Sequence, residues 1–575
     1  MGNSPSTVLP PHNRPFSLAK KRSKSIIFPK ILGCSSSDPS SVVVNDPVHD
    51  GMPWADEKLS SLSRPQETHN LAYSPFCAFT GSSDPAAMVY DEFLKVYPEY
   101  RLTWILDTLR RTDYTRLERS GETYVDYMGG ALYPESLIRT HTQFLNASIL
   151  GNTHSVSNSS KLSVRCADEA RAAVLSFFKA SSEDYTVIFT ANATAALKLV
   201  GESYPFTNGS SLVLGVDSHN SVHGLREFAS RKGASVVYMA STAVGGLEAA
   251  ATKTILSHHK PQAKDLAPSL FVLTGQSNIT NSKNDLSLIK YAASMGYHTL
   301  IDAAALAPTS QFSLENTGAD GVAISFYKMF GFPTGVGALI VRKTFLEQLQ
   351  RPWFAGGTVD VVQVPGTIFT RASEIREQFE DGTINYLTLP AVTDGLRFLT
   401  AYLPFLPLRL SCLTHFLTTT ISELRHDTSK RPIVRILSRL PGRRLKSVGE
   451  QTDTASTVSL LFHGPNGELL PNSFIEYAAT RHKISLRTGC VCNPGGAAAI
   501  LGIEDDMCKL YPGVTLKDFE RHMGRELGVI RISLGLASNF QDVWRVLEFT
   551  SLMGKQAVRQ VMWNQWTAAK AAEDD

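Results

Sequence analysis

TLIDAAALAPTSQFSLENTGADGVAISFYKMFGFPTGVGALIV, residues 299–341, decides the fold. It reads as a buried strand ending at Asp302, a connection, a second apolar strand running into Ser325-Phe326-Tyr327-Lys328, and a Gly-rich turn into a third strand. Two apolar runs thus each deliver a charged residue at a strand's carboxyl end, where open α/β sheets place their ligands. An acid and a lysine so arranged suit pyridoxal phosphate, which offers an aldehyde to the lysine and a protonatable ring nitrogen to the acid. A lysine after a strand is more often a solvated surface charge. The rest of the chain has to separate the two readings.

Upstream, short apolar runs recur at YTVIFT (185–190), SLVLGV (211–216), ASVVYM (234–239) and LFVLTG (270–275). Between them lie segments with helical spacing, among them ANATAALKLVGESY and DLSLIKYAASMG, and VRCADEARAAVLSFFK (164–179) precedes the first strand. Strands alternating with helices of this length predict an α/β domain with a mostly parallel sheet and helices on both faces. Its expected bounds are residues 85–390, including an N-terminal helical arm. Downstream, 391–557 reads as a smaller α+β domain: two apolar helices, a basic loop around SKRPIVRILSRLPGRR, the strands TVSLLFHG and VIRISLGL, and further helices. Residues 85–135 are candidates to pack with that domain.

Residues 1–75 are rich in Ser and Pro, lack periodic apolar segments and predict disorder. MGNSPS fits the permissive N-myristoylation pattern at Gly2, and with the basic cluster Lys20-Lys21-Arg22 it allows membrane association; a plain tail without an anchor is the simpler expectation. Residues 558–575 are expected to be a tail, frayed over its final AAKAAEDD.

Composition narrows the function classes. With 56 basic and 53 acidic residues the net charge is +3, so nothing drives the chain toward nucleic acid. No apolar run approaches the roughly 18 residues of a membrane span, and the N-terminus lacks a signal peptide's apolar core. Seven scattered cysteines point away from a disulfide framework and toward a reducing compartment, by default the cytoplasm.

Several groups fall where a ligand would meet the sheet. Ala193 and Thr194 open a helix directly after a strand, which is a phosphate cradle or simple N-capping by Asn192 or Thr190. His219 follows a strand in GVDSHNSVHG and could stack on a planar ring or be an ordinary loop histidine. Asn278 follows another strand, placed to donate to a phenolate oxygen. LRTGCVCNPGG (486–496) holds Cys490 and Cys492 on what reads as a mobile loop, with Arg487 at hand to favour thiolate. With no second Cys pair or His cluster, no metal site is expected. Arg531, an arginine inside an apolar strand, calls for a carboxylate from the protein or from a substrate.

Taken together, SFYKMFGFPTGVGALIV, LIDAAALAPTS, WFAGGTV, FEDGTINYL, LRTGCVCNPGG and VIRISLGLASNFQDV resemble the signatures of class V aminotransferase pyridoxal-phosphate enzymes over about residues 90–555. Within that group they resemble the aminotransferase-like domain of molybdenum cofactor sulfurases. The resemblance implies the fold type I architecture of pyridoxal-dependent transferases, with a seven-stranded large-domain sheet. It implies that Lys328 joins the cofactor's aldehyde, Asp302 holds the ring-nitrogen proton, His219 stacks on the ring and takes part in catalysis, and Asn278 bonds the ring oxygen. Ala193, Thr194 and Ser325 would hold the phosphate, with Tyr327 beside the lysine. Thr383 would reach the phosphate of a neighbouring subunit, which implies a homodimer.

Cys492 would be the nucleophile that takes sulfur as a persulfide, and Arg531, with Arg487, would bind the substrate carboxylate. The implied reaction converts L-cysteine to L-alanine and passes sulfur to an acceptor, molybdenum cofactor or its carrier protein being the candidates. Tyr327 and Ala305 follow the sulfurase branch rather than simple desulfurases, which have His and Gln there. Ala497 departs from it, because a third cysteine is common at that position. Full-length eukaryotic sulfurases also continue into a domain that receives the molybdenum cofactor, and this chain ends about 20 residues after the pyridoxal domain. The acceptor is therefore open, and a lyase or aminotransferase of specialised metabolism on the same scaffold is the alternative.

Overall fold

The structure, a computed structural model, describes residues 85–261 and 267–574. The expectations for residues 1–75, myristoylation at Gly2 included, lie outside the described residues. Seven strands form the large-domain sheet: β1 (Tyr185–Thr190), β2 (Ser211–Gly215), β3 (Ser235–Met239), β4 (Leu270–Thr274), β5 (His298–Asp302), β6 (Gly321–Ser325) and β7 (Gly337–Arg342). Their spatial order is β1-β7-β6-β5-β4-β2-β3. Within this sheet β7 runs antiparallel to both its neighbours and the other pairings are parallel. Every residue of β2, β4, β5 and β6 is buried. That is why these strands read as continuous apolar runs rather than alternating ones: a parallel sheet is covered on both faces.

Helices α1 (Asn158–Phe177), α2 (Ala193–Ser203) and α3 (Leu389–Tyr402) belong to those layers. α3 matters to the site because it presses on the segment that carries Lys328. A Cβ at Gly395 would lie 2.2 Å from the Phe330 ring, so only glycine lets the helix settle there. Phe330 is fully buried, and that burial contributes about 2–3 kcal/mol to fixing the turn behind Lys328.

Strands β8 (Val434–Ile436), β9 (Thr457–Phe462), β10 (Arg487–Gly489) and β11 (Val529–Ser533) form a second, antiparallel sheet in the order β8-β9-β11-β10. β8 lies within the stretch expected to be a basic loop; its short apolar core, Val434 and Ile436, is hidden there among arginines. The N-terminal arm meets this half of the chain. Thr123–Tyr124 pairs in parallel with Ile484–Ser485, Asp126 bridges to Ser533, and the Phe93 ring lies 5.1 Å from both Phe416 and Phe540. The expected tail is instead part of a helix, Gln556–Asp574, anchored by Trp563 and Trp566, whose rings pack against Phe474 at 5.0 and 5.6 Å.

Candidate active site

The carboxyl ends of the parallel strands converge on one recess. Lined up there are Ala193, Thr194, His219, Asn278, Asp302, Ser325, Tyr327 and Lys328, together with Ser221 and Gln276. The register explains the convergence: Thr274 pairs with Asp302, and Asp302 with Ala323, so β4, β5 and β6 end side by side. Lys328 is not the last residue of a strand, as its sequence suggests, but sits in a single helical turn, Phe326–Phe330, that follows β6.

One end of the recess is built for an anion. The N-terminus of α2 faces it, and helix N-termini present unsatisfied N–H groups and positive dipole. The Ala193 N–H donates to Ser325 Oγ at 2.8 Å, the Ala195 N–H to Asn192 Oδ1 at 3.0 Å, and the Thr194 and Ser221 hydroxyls lie 2.8 Å apart. The turn from β1 into α2 fits only against a glycine: a Cβ on Gly337 would lie 2.5 Å from Asn192 Cα and 2.6 Å from the Ile324 carbonyl oxygen.

The other end is built for proton handling. Asp302, 6% exposed, accepts from the Ala304 N–H at 3.1 Å. His219 Nδ1 accepts the Ser221 N–H at 3.1 Å, so in the neutral ring the hydrogen sits on Nε2. Burial pushes the His219 imidazole below its ordinary value; Asp302 opposes that shift and Lys328 adds to it. Burial likewise pushes the Lys328 amine down, against the pull of Asp302 and with help from the Arg531 and Arg487 charges. A lysine so placed releases its proton more readily than a surface lysine.

Two side chains depart from the sequence reading. Asn278 does line the recess, but its Nδ2 donates to the Val491 carbonyl at 2.7 Å and its Oδ1 accepts from Asn493 Nδ2 at 3.0 Å. Gln276, not singled out from sequence, is 1% exposed, lines the recess and has both amide atoms without a partner. Strand alternation carried one step past β4 was the available signal, since it places residue 276 on the same side as Thr274.

The second group comes from the antiparallel half and does not line the recess. Cys492 is exposed, whereas Cys490 is partly covered and burial pushes its thiol up. The expected mobile loop is pinned: the Cys492 carbonyl accepts the Asn220 N–H at 2.7 Å, and Pro494–Leu501 forms helix α4 directly after Asn493. Arg487 is exposed at the start of β10, its charge felt at Lys328, Tyr327 and Arg531. Arg531, 2% exposed, already holds a carboxylate. Its Nη2 lies 2.5 Å from Asp126 Oδ1, its Nη1 donates to the Asn278 carbonyl at 3.1 Å, and its Nε has no partner. Asp126 carries no signal in the sequence, because its partner lies 405 residues away. Thr383 is exposed and outside this chain's recess, where it accepts from Asn152 Nδ2 at 3.2 Å. Beside it Glu380 is clamped by Arg171 at 2.7 Å and by the Phe189 N–H at 2.8 Å.

Comparison with known proteins supplies the family. The profile of the family described as Aminotransferase class-V matches residues 123–546. The molybdenum cofactor sulfurase of Solanum lycopersicum is 34% identical over 501 residues, covering 80% of this chain and 59% of the relative; that of Homo sapiens is 31% identical over 498 residues, covering 82% and 53%. The chain thus spans just over half the length of these curated relatives. Among solved structures, a cysteine desulfurase from Thermococcus onnurineus NA1 superposes with a TM-score of 0.62 at 21% identity, covering 77% of this chain and 97% of that one. A fold of the cysteine desulfurase kind, a matching family profile over three-quarters of the chain and a recess with the lysine and acid in place lead to one assignment: the chain belongs to the aminotransferase class-V family.

Proposed function

We propose that the protein is a pyridoxal-phosphate-dependent cysteine desulfurase of the molybdenum cofactor sulfurase type. The observation that carries this reading is the pairing of a Lys328–Asp302 recess with an exposed thiol, Cys492, whose backbone is bonded to the residue after His219. The recess fits the cofactor: an anion cradle at α2, an acid for the ring nitrogen, an amine for the aldehyde, and in Gln276 an orphaned buried amide. Because Asn278 spends its amide on the cysteine turn, Gln276 is the better candidate to meet the ring oxygen, with Asn278 beside it. Ala193, Thr194 and Ser325 would hold the phosphate, and Tyr327 and His219 would flank the ring.

When bound, pyridoxal phosphate supplies an electrophilic aldehyde and a ring that withdraws electrons from the substrate's Cα. The chain's own groups do the rest. Arg531, with Arg487 near, orients the substrate carboxylate through the guanidinium edge that Asp126 leaves open. Lys328 Nζ takes the Cα proton, for which its lowered basicity suits it. Cys492 Sγ, as thiolate, attacks the sulfur of L-cysteine. The S–S bond forms as the C–S bond breaks and the bonding pair stays with Cβ, which receives the proton of the substrate's own thiol; return of the Cα proton from Lys328 completes alanine. Cys492 is left as a persulfide, and the exchange needs no outside oxidant or reductant.

The acceptor is molybdenum cofactor or a protein that carries it, in keeping with the names of the relatives. Thr383, presented at the surface on the clamped Glu380 segment, would complete the recess of a second copy. Val361, Val364 and Ile368, at 61, 84 and 66% exposure, give that homodimer an apolar surface. A reducing cytoplasm suits the five described cysteines, all of them unpaired. Among the described residues no helix is long and apolar enough to cross a membrane.

Mass spectrometry of Cys490 and Cys492 after incubation with sulfur-labelled L-cysteine tests cofactor, substrate and nucleophile together. One labelled sulfur on Cys492, with stoichiometric alanine, is the expected result. Pyruvate and ammonia without labelled Cys492 would assign the scaffold to lyase chemistry instead.

A further inference from the structure

Three separate segments meet at the Asp217 carboxylate, two residues before His219 and 2% exposed. Oδ1 accepts from Ser277 Oγ at 2.6 Å and Asn493 Nδ2 at 2.7 Å; Oδ2 accepts from Thr280 Oγ1 at 2.7 Å and the Gly246 N–H at 2.9 Å. Four donors from three segments thus converge on this one buried carboxylate. The mechanism above gives Asp217 nothing to do.

Asn493 is the residue this carboxylate holds, and it follows Cys492 directly. It is fully buried, and its side chain is spent in full. Nδ2 reaches Asp217 and, at 3.0 Å, Asn278 Oδ1, while Oδ1 caps α4 by accepting the Gly496 N–H at 2.9 Å. Its own N–H donates to the Cys490 carbonyl at 2.9 Å. The two residues before it, Val491 and Cys492, have left-handed backbones with φ of 46° and 59°. Non-glycine residues keep such conformations only where their surroundings over-determine them. Here the over-determination is visible: the Val491 and Cys492 carbonyls accept from Asn278 Nδ2 and the Asn220 N–H. The Pro-Gly-Gly sequence has its reason in the same contact. A Cβ on Gly495 would lie 2.1 Å from the Val216 carbonyl oxygen, and one on Gly496 would lie 2.4 Å from Asp217 Oδ1.

We propose that Asp217 is a positioning residue for Cys492. Through Asn493 it locks the thiol-bearing turn onto the loops that carry His219 and Asn278, so the thiol works from a fixed backbone and the sulfur acceptor must come to it. The functional half of this statement rests on the reading of Cys492 as the sulfur-taking nucleophile; the fixed turn does not.

Hydrogen exchange of the 486–500 segment in the holoprotein, read with the rate of Cys492 alkylation by iodoacetamide, tests the turn without any substrate. In the wild type the Asn493 and Gly496 amides should be protected, and Asn493→Ala should speed exchange across 490–496 at least tenfold while β5 is unchanged. Labelled-cysteine turnover then tests the function: kcat for persulfide formation should fall at least tenfold, with KM for cysteine and the visible cofactor absorption unchanged. A merely structural role would move all of these together. Asn493→Asp, isosteric and still able to cap Gly496 but turning an acceptor toward Asp217, should behave the same and carries the test if Asn493→Ala fails to fold. Rapid exchange at 490–496 in the wild type, or either variant leaving exchange and kcat unchanged, would overturn the proposal. Protection lost as expected, in a protein that forms no persulfide even as wild type, upholds the anchored turn and refutes the desulfuration reading instead.

Discussion

The site has two halves that are built differently. Lys328, Asp302, His219 and the α2 cradle leave from the ends of neighbouring strands, and their spacing is set by one sheet register, Thr274 against Asp302 against Ala323. Cys492 and Arg531 come from the antiparallel half, and the cysteine turn and the Arg531 guanidinium are held by hydrogen bonds that span the chain. Asn278 reaches Val491 across 213 residues, Asp217 reaches Asn493 across 276, and Asp126 reaches Arg531 across 405. The first half depends on the backbone of a buried parallel sheet, the second on a few polar side chains. Activation of the substrate and removal of its sulfur should therefore fail separately.

The largest effect expected is at Lys328. Lys328→Ala should lower alanine formation by about 10³-fold or more, since it removes the base of the proposed reaction, and should abolish the cofactor's lysine-linked absorption. If the two halves are independent, Cys492 in this variant should be alkylated at the wild-type rate. A changed rate would mean that the recess also shapes the cysteine turn. Cys492→Ser is the mirror experiment: the cofactor absorption should persist while labelled persulfide disappears. Alanine formed by this variant at the wild-type rate would remove Cys492 from the mechanism.

Asp126→Asn sharpens the comparison from the arginine side. It leaves Arg531, 2% exposed, without its carboxylate, and an uncompensated buried charge is costly. Asp126 itself retains some exposure, at 18%, so the loss of stability should be about 2 kcal/mol, below the range for fully buried pairs. At the same time a substrate carboxylate would no longer share Arg531, so KM for cysteine should fall even as the melting temperature drops. A rise in KM would mean that Asp126 orients Arg531 for substrate rather than competing with it.

The same division governs what the sequence discloses. Strands β2, β4 and β5 are legible because burial on both faces favours short, largely apolar runs, and β1 because its centre is buried in the same way; the residues after them inherit their position from the sheet. β8 is not, since three residues between arginines carry too little pattern, and the C-terminal helix is anchored by two tryptophans whose partner, Phe474, lies far away in sequence. Gln276 is hard to read because it lies two residues past the last strand residue, where alternation is no longer an obvious guide. Asn278 reads as a ligand of the recess, whereas most of its amide serves the cysteine turn. The cysteine loop reads as mobile because Gly and Pro signal flexibility locally. Their reason here is clearance against Val216 and Asp217, which no local pattern contains.

The smallest effect tests whether the recess behaves as one electrostatic unit. Burial holds His219 below the ordinary histidine value of roughly 6.5, so as pH falls through that value the unfolded chain takes up a proton that folded His219 does not. The unfolded state then binds more protons, and stability declines with falling pH until folded His219 is itself protonated; above the ordinary value the penalty is absent. His219→Gln should therefore flatten part of the stability loss on the acid side of neutrality while leaving stability at pH 8 nearly unchanged. Lys328 contributes to the same shift, because its charge disfavours a second cation beside it, whereas Asp302 works against the shift. Removing the lysine should thus move His219 back toward its ordinary value and flatten the same acid slope, by less than His219→Gln does. Denaturant titrations of apo wild type, His219→Gln and Lys328→Ala at pH 5.5 to 8 would read this. An acid slope in Lys328→Ala as steep as in the wild type would mean that the histidine and the lysine, though lining one recess, titrate without sensing each other.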